Sequence, residues 1–204
     1  MRERLSPSQV AILIARRDPA FAQLIDEIGP PPRRRASPLE QRYAALVHSI
    51  CFQLLATRAA ETIHARVVEL YDGEVSAERT LKLGAGTLRG AGLSRAKALA
   101  IVELAERTSA GDVALARHGR MSDDAVIDDV TSVRGIGPWT AQMYLMFTLA
   151  RADVWPSGDL GVRRGWSRVH GLDDLVSTSE LHRVGEEFVG VRSALAWYCW
   201  RALE

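Results

Sequence analysis

With 204 residues, 47% hydrophobic and 25% charged, the chain has apolar content for one compact domain or two closely packed lobes. A net charge of +1 excludes a bulk electrostatic pull toward nucleic acid or an anionic membrane, so any such surface must be local. The two cysteines, Cys51 and Cys199, are too few for a four-cysteine iron–sulfur cluster, and in apolar segments they read as buried free thiols.

The run "VAILIA" at 10–15 is short for a signal-peptide core and lacks a cleavage pattern, and no stretch is long enough to span a bilayer. A cytoplasmic protein is expected, nucleoid-associated if bacterial. Helical grammar begins with Asp18 as N-cap and Pro19 at the first position, and stops at Gly29-Pro30. The loop 29–38 carries Arg33, Arg34 and Arg35, either solvated or touching phosphate. From Pro38 to about Leu55, the residues Tyr43, Leu46, Val47, Ile50 and Leu54 recur at helical spacing. A further helix over roughly 58–71 ends at Asp72-Gly73. The segment "LGAGTLRGAGLSRAKA" brings four glycines before a helix capped by Ser94. Ser122 caps another, with Asp123 and Asp124 set against its dipole. Strand alternation and repeats are absent, and the fold class is all-α.

The stretch "VRGIGPWTAQMYLMFTLARADVWPSGDLGVRRGW" concentrates the chemistry. Ser122–Val133, "RGIGP" and Trp139–Ala150 read as helix–hairpin–helix. Gly135 and Gly137 permit a tight turn and close approach of a ligand to backbone, while Pro138 suits a helix start. Backbone N–H groups at that start, with the helix dipole, suit a phosphate oxygen. An ordinary interhelical turn has the same look, and a true grip of this kind carries no sequence preference. On the helix that follows, Trp139, Met143, Met146 and Ala150 share a face, and apolar residues on the other faces make the helix central. It leads to Asp159, which is either a plain N-cap or a capping residue that also does chemistry.

Hairpin "VRGIGPWTA" followed by "WPSGDLGVRR" resembles the helix–hairpin–helix, Gly/Pro-rich loop and Asp signature of the DNA glycosylase superfamily. Within it the chain is similar to the AlkA-type 3-methyladenine DNA glycosylases. "SICFQLLATRAAETIHARV" at 49–67, "LRGAGLSRAKALAI" at 88–101 and the ending "GVRSALAWYCW" agree, collinearly from about Asp18 onward. Longer members carry an N-terminal β-rich domain; a compact form is expected here, one domain over 1–204 with the hairpin element at about 122–150 and a catalytic loop at about 151–159. Many relatives read Gln-Gln where this chain has Phe52-Gln53.

The resemblance implies two helical lobes with a cleft between them, and hydrolytic release of an alkylated purine flipped out of duplex DNA. It implies Asp159 as the catalytic acid, Trp139, Trp200 and Met143 in the base pocket, and Gly135, Ile136, Gly137, Thr140, Gln53 and Leu54 at the DNA. Leu54 is either the wedge that fills the vacated stack or plain helix core. An electron-rich indole at Trp200 would favour a cationic base. Relatives that also cut the strand use a lysine in the second hairpin helix, where this chain has Trp139; neither Lys82 nor Lys97 lies there, so a monofunctional enzyme is expected. No cofactor and no side-chain metal ligands are expected, although family hairpins often hold a monovalent cation on backbone carbonyls. The expected partner is double-stranded DNA with damaged bases, met by a monomer away from membranes. Two rival readings are a non-catalytic helix–hairpin–helix DNA-binding module, which needs neither Asp159 nor the tryptophans, and a glycosylase–lyase of the endonuclease III branch.

Overall fold

A computed structural model describes residues 5–53 and 57–204. Among these residues the regular structure is helical throughout, as the sequence pattern predicts. The chain forms two compact units, one split (1–35 with 150–204) and one continuous (36–149).

The split unit opens with α1, Pro7–Arg17, which the sequence reading did not assign. Ser6 Oγ accepts the Gln9 N–H and the Gln9 side chain accepts the Ser6 N–H, a capping box with Pro7 at the first position. Asp18 caps as predicted, but the turn it starts, Pro19–Phe21, is 3₁₀ before α2, Ala22–Ile28. Gly29, at φ 78°, ends that helix. After residue 150 come α9 (Leu160–Val169), α10 (Thr178–Glu187) and α11 (Arg192–Arg201). Their core contains Ile14, Phe21, Val162, Trp166, Leu181, Phe188, Leu195 and Tyr198. Helices α9 and α11 touch backbone to backbone: a Cβ on Gly165 would collide with the Cys199 carbonyl. The predicted buried thiols are found, both free.

The continuous unit holds α3 (Leu39–Phe52), α4 (Thr57–Leu70), α5 (Ala77–Gly90), α6 (Arg95–Ala110), α7 (Asp123–Thr131) and α8 (Pro138–Met143). The predicted stripe of α3 is buried at Tyr43, Leu46, Val47 and Ile50. Tyr43 and Tyr71 hydroxyls both meet Thr80 Oγ1 at 2.7 Å, satisfying three polar groups inside the core. Helix α5, which the sequence reading did not assign, takes in three of the four glycines that precede Ser94: Gly86 and Gly90 are helical and only Gly84 breaks the geometry, with φ 69°. Ser94 and Ser122 cap α6 and α7 as predicted. The straight helix expected over 139–150 instead widens after α8 into a π-turn, Tyr144–Thr148. Where the chain enters and leaves this unit, the Ser37 N–H donates to the Thr148 carbonyl at 2.7 Å.

Candidate functional site

The hairpin lies between α7 and α8. Val133 and Ile136 anchor it in the core, and the Ile136 N–H closes the turn on the Val133 carbonyl at 3.1 Å. Gly135 has φ 90°, and a Cβ there would stand 3.0 Å from Ala100 Cβ, so both backbone and space demand glycine. Gly137 differs from its partner: φ is −96°, and a Cβ would meet nothing within 4 Å. Neither the backbone angle nor the space around it requires glycine at 137.

Several of the predicted DNA-facing residues turn inward. The Ile136 and Thr140 side chains are buried. Gln53 is drawn to the hairpin: its Nε2 donates to the Gly135 carbonyl at 3.0 Å and to Thr140 Oγ1 at 2.9 Å. The Ile136 N–H is spent on the turn, so any phosphate contact at Gly137 or Thr140 would be made by their backbone N–H groups. Leu54 lies outside the described residues. Met143 is buried, whereas Trp139, four residues before it on α8, is 37% exposed.

In the split unit, Asp159 is the N-cap of α9, its Oδ1 accepting the Val162 N–H at 2.8 Å. The same oxygen accepts the Trp200 indole N–H at 2.9 Å. The approach is close: a Cβ on Gly161 would stand 2.8 Å from Trp200 Cδ1 and 3.0 Å from Asp159 Oδ1. Asp159 and Trp200 are therefore one assembly, a pairing that their separation in sequence gave no means of detecting. The loop leading to Asp159 is braced at its start. Asp153 takes both Arg192 Nε (2.6 Å) and Nη2 (2.9 Å), together with the Gly190 N–H at 2.7 Å. Burial alone would raise the Asp153 carboxyl, but these donors hold it below its ordinary value. Ser193 Oγ accepts the Val154 N–H at 2.9 Å and donates to the Arg151 carbonyl at 2.8 Å. One helix, α11, thus holds the loop's start through Arg192 and Ser193 and its end through Trp200. Trp155, within the loop, is core: its Nε1–H donates to the Leu181 carbonyl at 2.6 Å.

Two of the histidines, given no role from sequence, have hydrogen-bonded structural partners. His118 is buried between Asp129 (2.6 Å) and the Tyr144 hydroxyl (3.1 Å). His170 meets Asp18 at 2.8 Å and stacks on Trp166. Among the described residues no three His, Cys, Asp or Glu side chains gather as metal ligands would.

A glycine hairpin and a capping carboxylate are the two features that the comparisons with known proteins bear on. The family model "HhH-GPD superfamily base excision DNA repair protein" matches residues 47–190, more than half of the chain. The chain belongs to the HhH-GPD superfamily. As a base excision DNA repair protein of this superfamily it has relatives of similar size. It is 27% identical to DNA-3-methyladenine glycosylase 1 of Schizosaccharomyces pombe over 90% of this chain and 82% of that one. It is 34% identical to the DNA-3-methyladenine glycosylase of Saccharomyces cerevisiae over 64% of this chain but 47% of that longer protein. Among solved structures, the S. pombe 3-methyladenine DNA glycosylase in complex with abasic DNA superposes with a TM-score of 0.87, at 27% identity and 94% coverage of both chains. A DNA-3-methyladenine glycosidase from Bacillus halodurans gives 0.79 at 30% identity, covering 97% of this chain and 89% of that one. The superfamily fold is shared even with an 8-oxoguanine glycosylase/lyase from Clostridium acetobutylicum, at a TM-score of 0.79 and 15% identity.

Proposed function

We propose that this HhH-GPD protein is a monofunctional DNA glycosylase, of the DNA-3-methyladenine glycosylase II type, that releases alkylated purines and leaves an abasic site. The single glycosylase domain is read as spanning 1–204, with the hairpin element at 122–150 and the catalytic loop at 151–159. The observation that carries the reading is Asp159, held on one oxygen by a helix N–H and an indole N–H, at the end of a loop braced by its own half-buried ion pair. A plain helix cap needs the first bond only.

The hairpin's N–H groups hold the duplex backbone while the damaged nucleotide leaves the stack. As the C1′–N bond lengthens, its electron pair departs with the base and positive charge grows on the sugar. A carboxylate fixed beforehand stabilises that charge more in the transition state than in the ground state. Water then forms the C1′–O bond, and its proton passes to Asp159 or to solvent. The family resemblance assigns Trp139 and Trp200 to the base pocket, and the indole of Trp200, held against Asp159, is the face that would favour a cationic 3-methyladenine or 7-methylguanine. A lyase step requires an amine on the sugar. The two lysines are engaged elsewhere: Lys82 pairs with Glu78 at 2.7 Å, and Lys97 donates to α3 carbonyls.

No cofactor is invoked. A monovalent cation at the hairpin, as in the resembling family, would take backbone carbonyls as ligands and would add positive charge to the grip. Among the described residues no helix is long and apolar enough to cross a membrane, and the reading places the enzyme with DNA in the cytoplasm. The test is incubation with methylated duplex DNA and chromatography of the released bases. Free 3-methyladenine or 7-methylguanine is expected; binding without release would leave a non-catalytic grip.

A further inference from the structure

The hairpin is backed by one face of α6. Residues 97, 100, 103 and 107 are spaced three or four apart and so line one side of that helix. Lys97 Nζ donates to the carbonyls of Cys51 (2.9 Å) and Gln53 (2.7 Å), at the end of α3. Ala100 faces Gly135. Glu103 accepts the Arg134 N–H at 3.1 Å, and Arg107 donates to the Ser132 carbonyl. From Lys97 a continuous hydrogen-bonded path runs through Gln53 to the Gly135 carbonyl and to Thr140 in the first turn of α8.

We propose that Lys97 is a positioning residue for the DNA grip: it fixes the end of α3 so that Gln53 holds the hairpin with its N–H groups presented to a phosphate. This inference rests on the reading of the hairpin as a DNA grip. The last carbonyls of a helix lack intrahelical partners and form the negative end of its dipole. A compact ammonium with three donors meets two converging carbonyls from one point, whereas a guanidinium spreads its donors over a plane. Of the 26 basic residues only Lys82 and Lys97 are lysine, and Lys82 makes an exposed pair. Lysine at 97 thus stands against the arginine bias of the chain at the position where its geometry is required. Its ammonium is directed at protein carbonyls, so its effect on DNA passes through Gln53.

The experiment measures affinity for a duplex carrying a tetrahydrofuran abasic-site analogue over a range of salt concentrations, with thermal melting and single-turnover base release at saturating enzyme. Lys97→Met should weaken binding by at least about fivefold, a typical size for coupling between distinct sites. The slope of log Kd against log salt should stay unchanged, since no phosphate contact is removed. The saturated single-turnover rate should also hold, since Asp159 is untouched. In a Gln53→Ala background, Lys97→Met should add no further loss. An additive loss with a slope lower by about one would make Lys97 a direct phosphate contact and overturn the proposal. So would wild-type affinity in a folded Lys97→Met protein. Should Lys97→Met fail to fold, Gln53→Ala alone decides: wild-type affinity there also overturns it. A wild-type protein that binds no duplex would instead refute the reading of the hairpin as a grip, and this inference with it.

Discussion

Trp200→Phe isolates the indole N–H that reaches Asp159. The substitution removes one donor from Oδ1 and leaves the Val162 N–H, so the carboxylate keeps its helix cap and loses its second anchor. A hydrogen bond to a charged group is worth about 1.5–3 kcal/mol. If that whole amount is felt in the transition state, base release slows by about 10- to 150-fold. Phenylalanine keeps an aromatic face, so the loss should be equal for a cationic lesion such as 7-methylguanine and a neutral one such as hypoxanthine. Trp200→Ala removes face and donor together and should add a further loss on the cationic lesion, because a cation–π contact contributes about 0.5–2 kcal/mol. The assay is single-turnover excision of each lesion from matched duplexes, with affinity for an abasic analogue as a control. Wild-type excision by Trp200→Phe would refute the tether; a loss confined to the cationic lesion would make Trp200 a selector of charge alone.

Asp159→Asn should fold with stability within about 1 kcal/mol of wild type, since asparagine caps helices as well as aspartate does, yet lose most base release; near wild-type single-turnover rates would leave Asp159 a cap. Gly137→Ala should fold, because the backbone there is ordinary and the added methyl meets open space, but bind duplex more weakly; unchanged affinity would remove that turn from the interface. Borohydride should trap no enzyme–DNA adduct during turnover, and a trapped species would reveal an amine nucleophile. The His118 imidazole is held below its ordinary value, chiefly by burial and against the pull of Asp129, with Arg42 adding to the lowering. Folding therefore favours the neutral ring, and the unfolded chain takes up a proton first as pH falls below about 6.5. Stability should decline over that range, and His118→Gln should flatten the decline in denaturant titrations at stepped pH.

Local grammar carried most of the fold. Asp18, Ser94, Ser122 and Asp159 each cap the helix they were expected to cap, because a cap depends on a side chain and an N–H two or three residues away. The same grammar was present, unread, at Ser6-Pro-Ser-Gln9 and Ser177-Thr-Ser-Glu180, whose capping boxes start α1 and α10. The sequence reading does not assign α5, since Gly86 and Gly90 disfavour a helix that packing against α6 supports. The site was legible as residues and not as contacts. Asp159, Gly135 and Gly137 follow from spacing, whereas Trp200 on Asp159, Gln53 on Gly135 and Lys97 on α3 join positions dozens of residues apart. The inward turn of Ile136, Thr140 and Met143 likewise depends on what the rest of the chain packs over them.

The bond between Ser37 and Thr148 bears on the order in which the molecule assembles. Residues 36–149 form a detour whose ends meet, while the flanking segments must find each other to build the unit that carries Asp159. Closing an unstructured loop of that length costs entropy that grows with the logarithm of its size. Once the detour has folded, that cost has already been met, and residues 35 and 150 are delivered as near neighbours. The unit with the hairpin should therefore form early and the unit with Asp159 late. Pulse-labelled hydrogen exchange during refolding should protect α3 and α6 before α9 and α11.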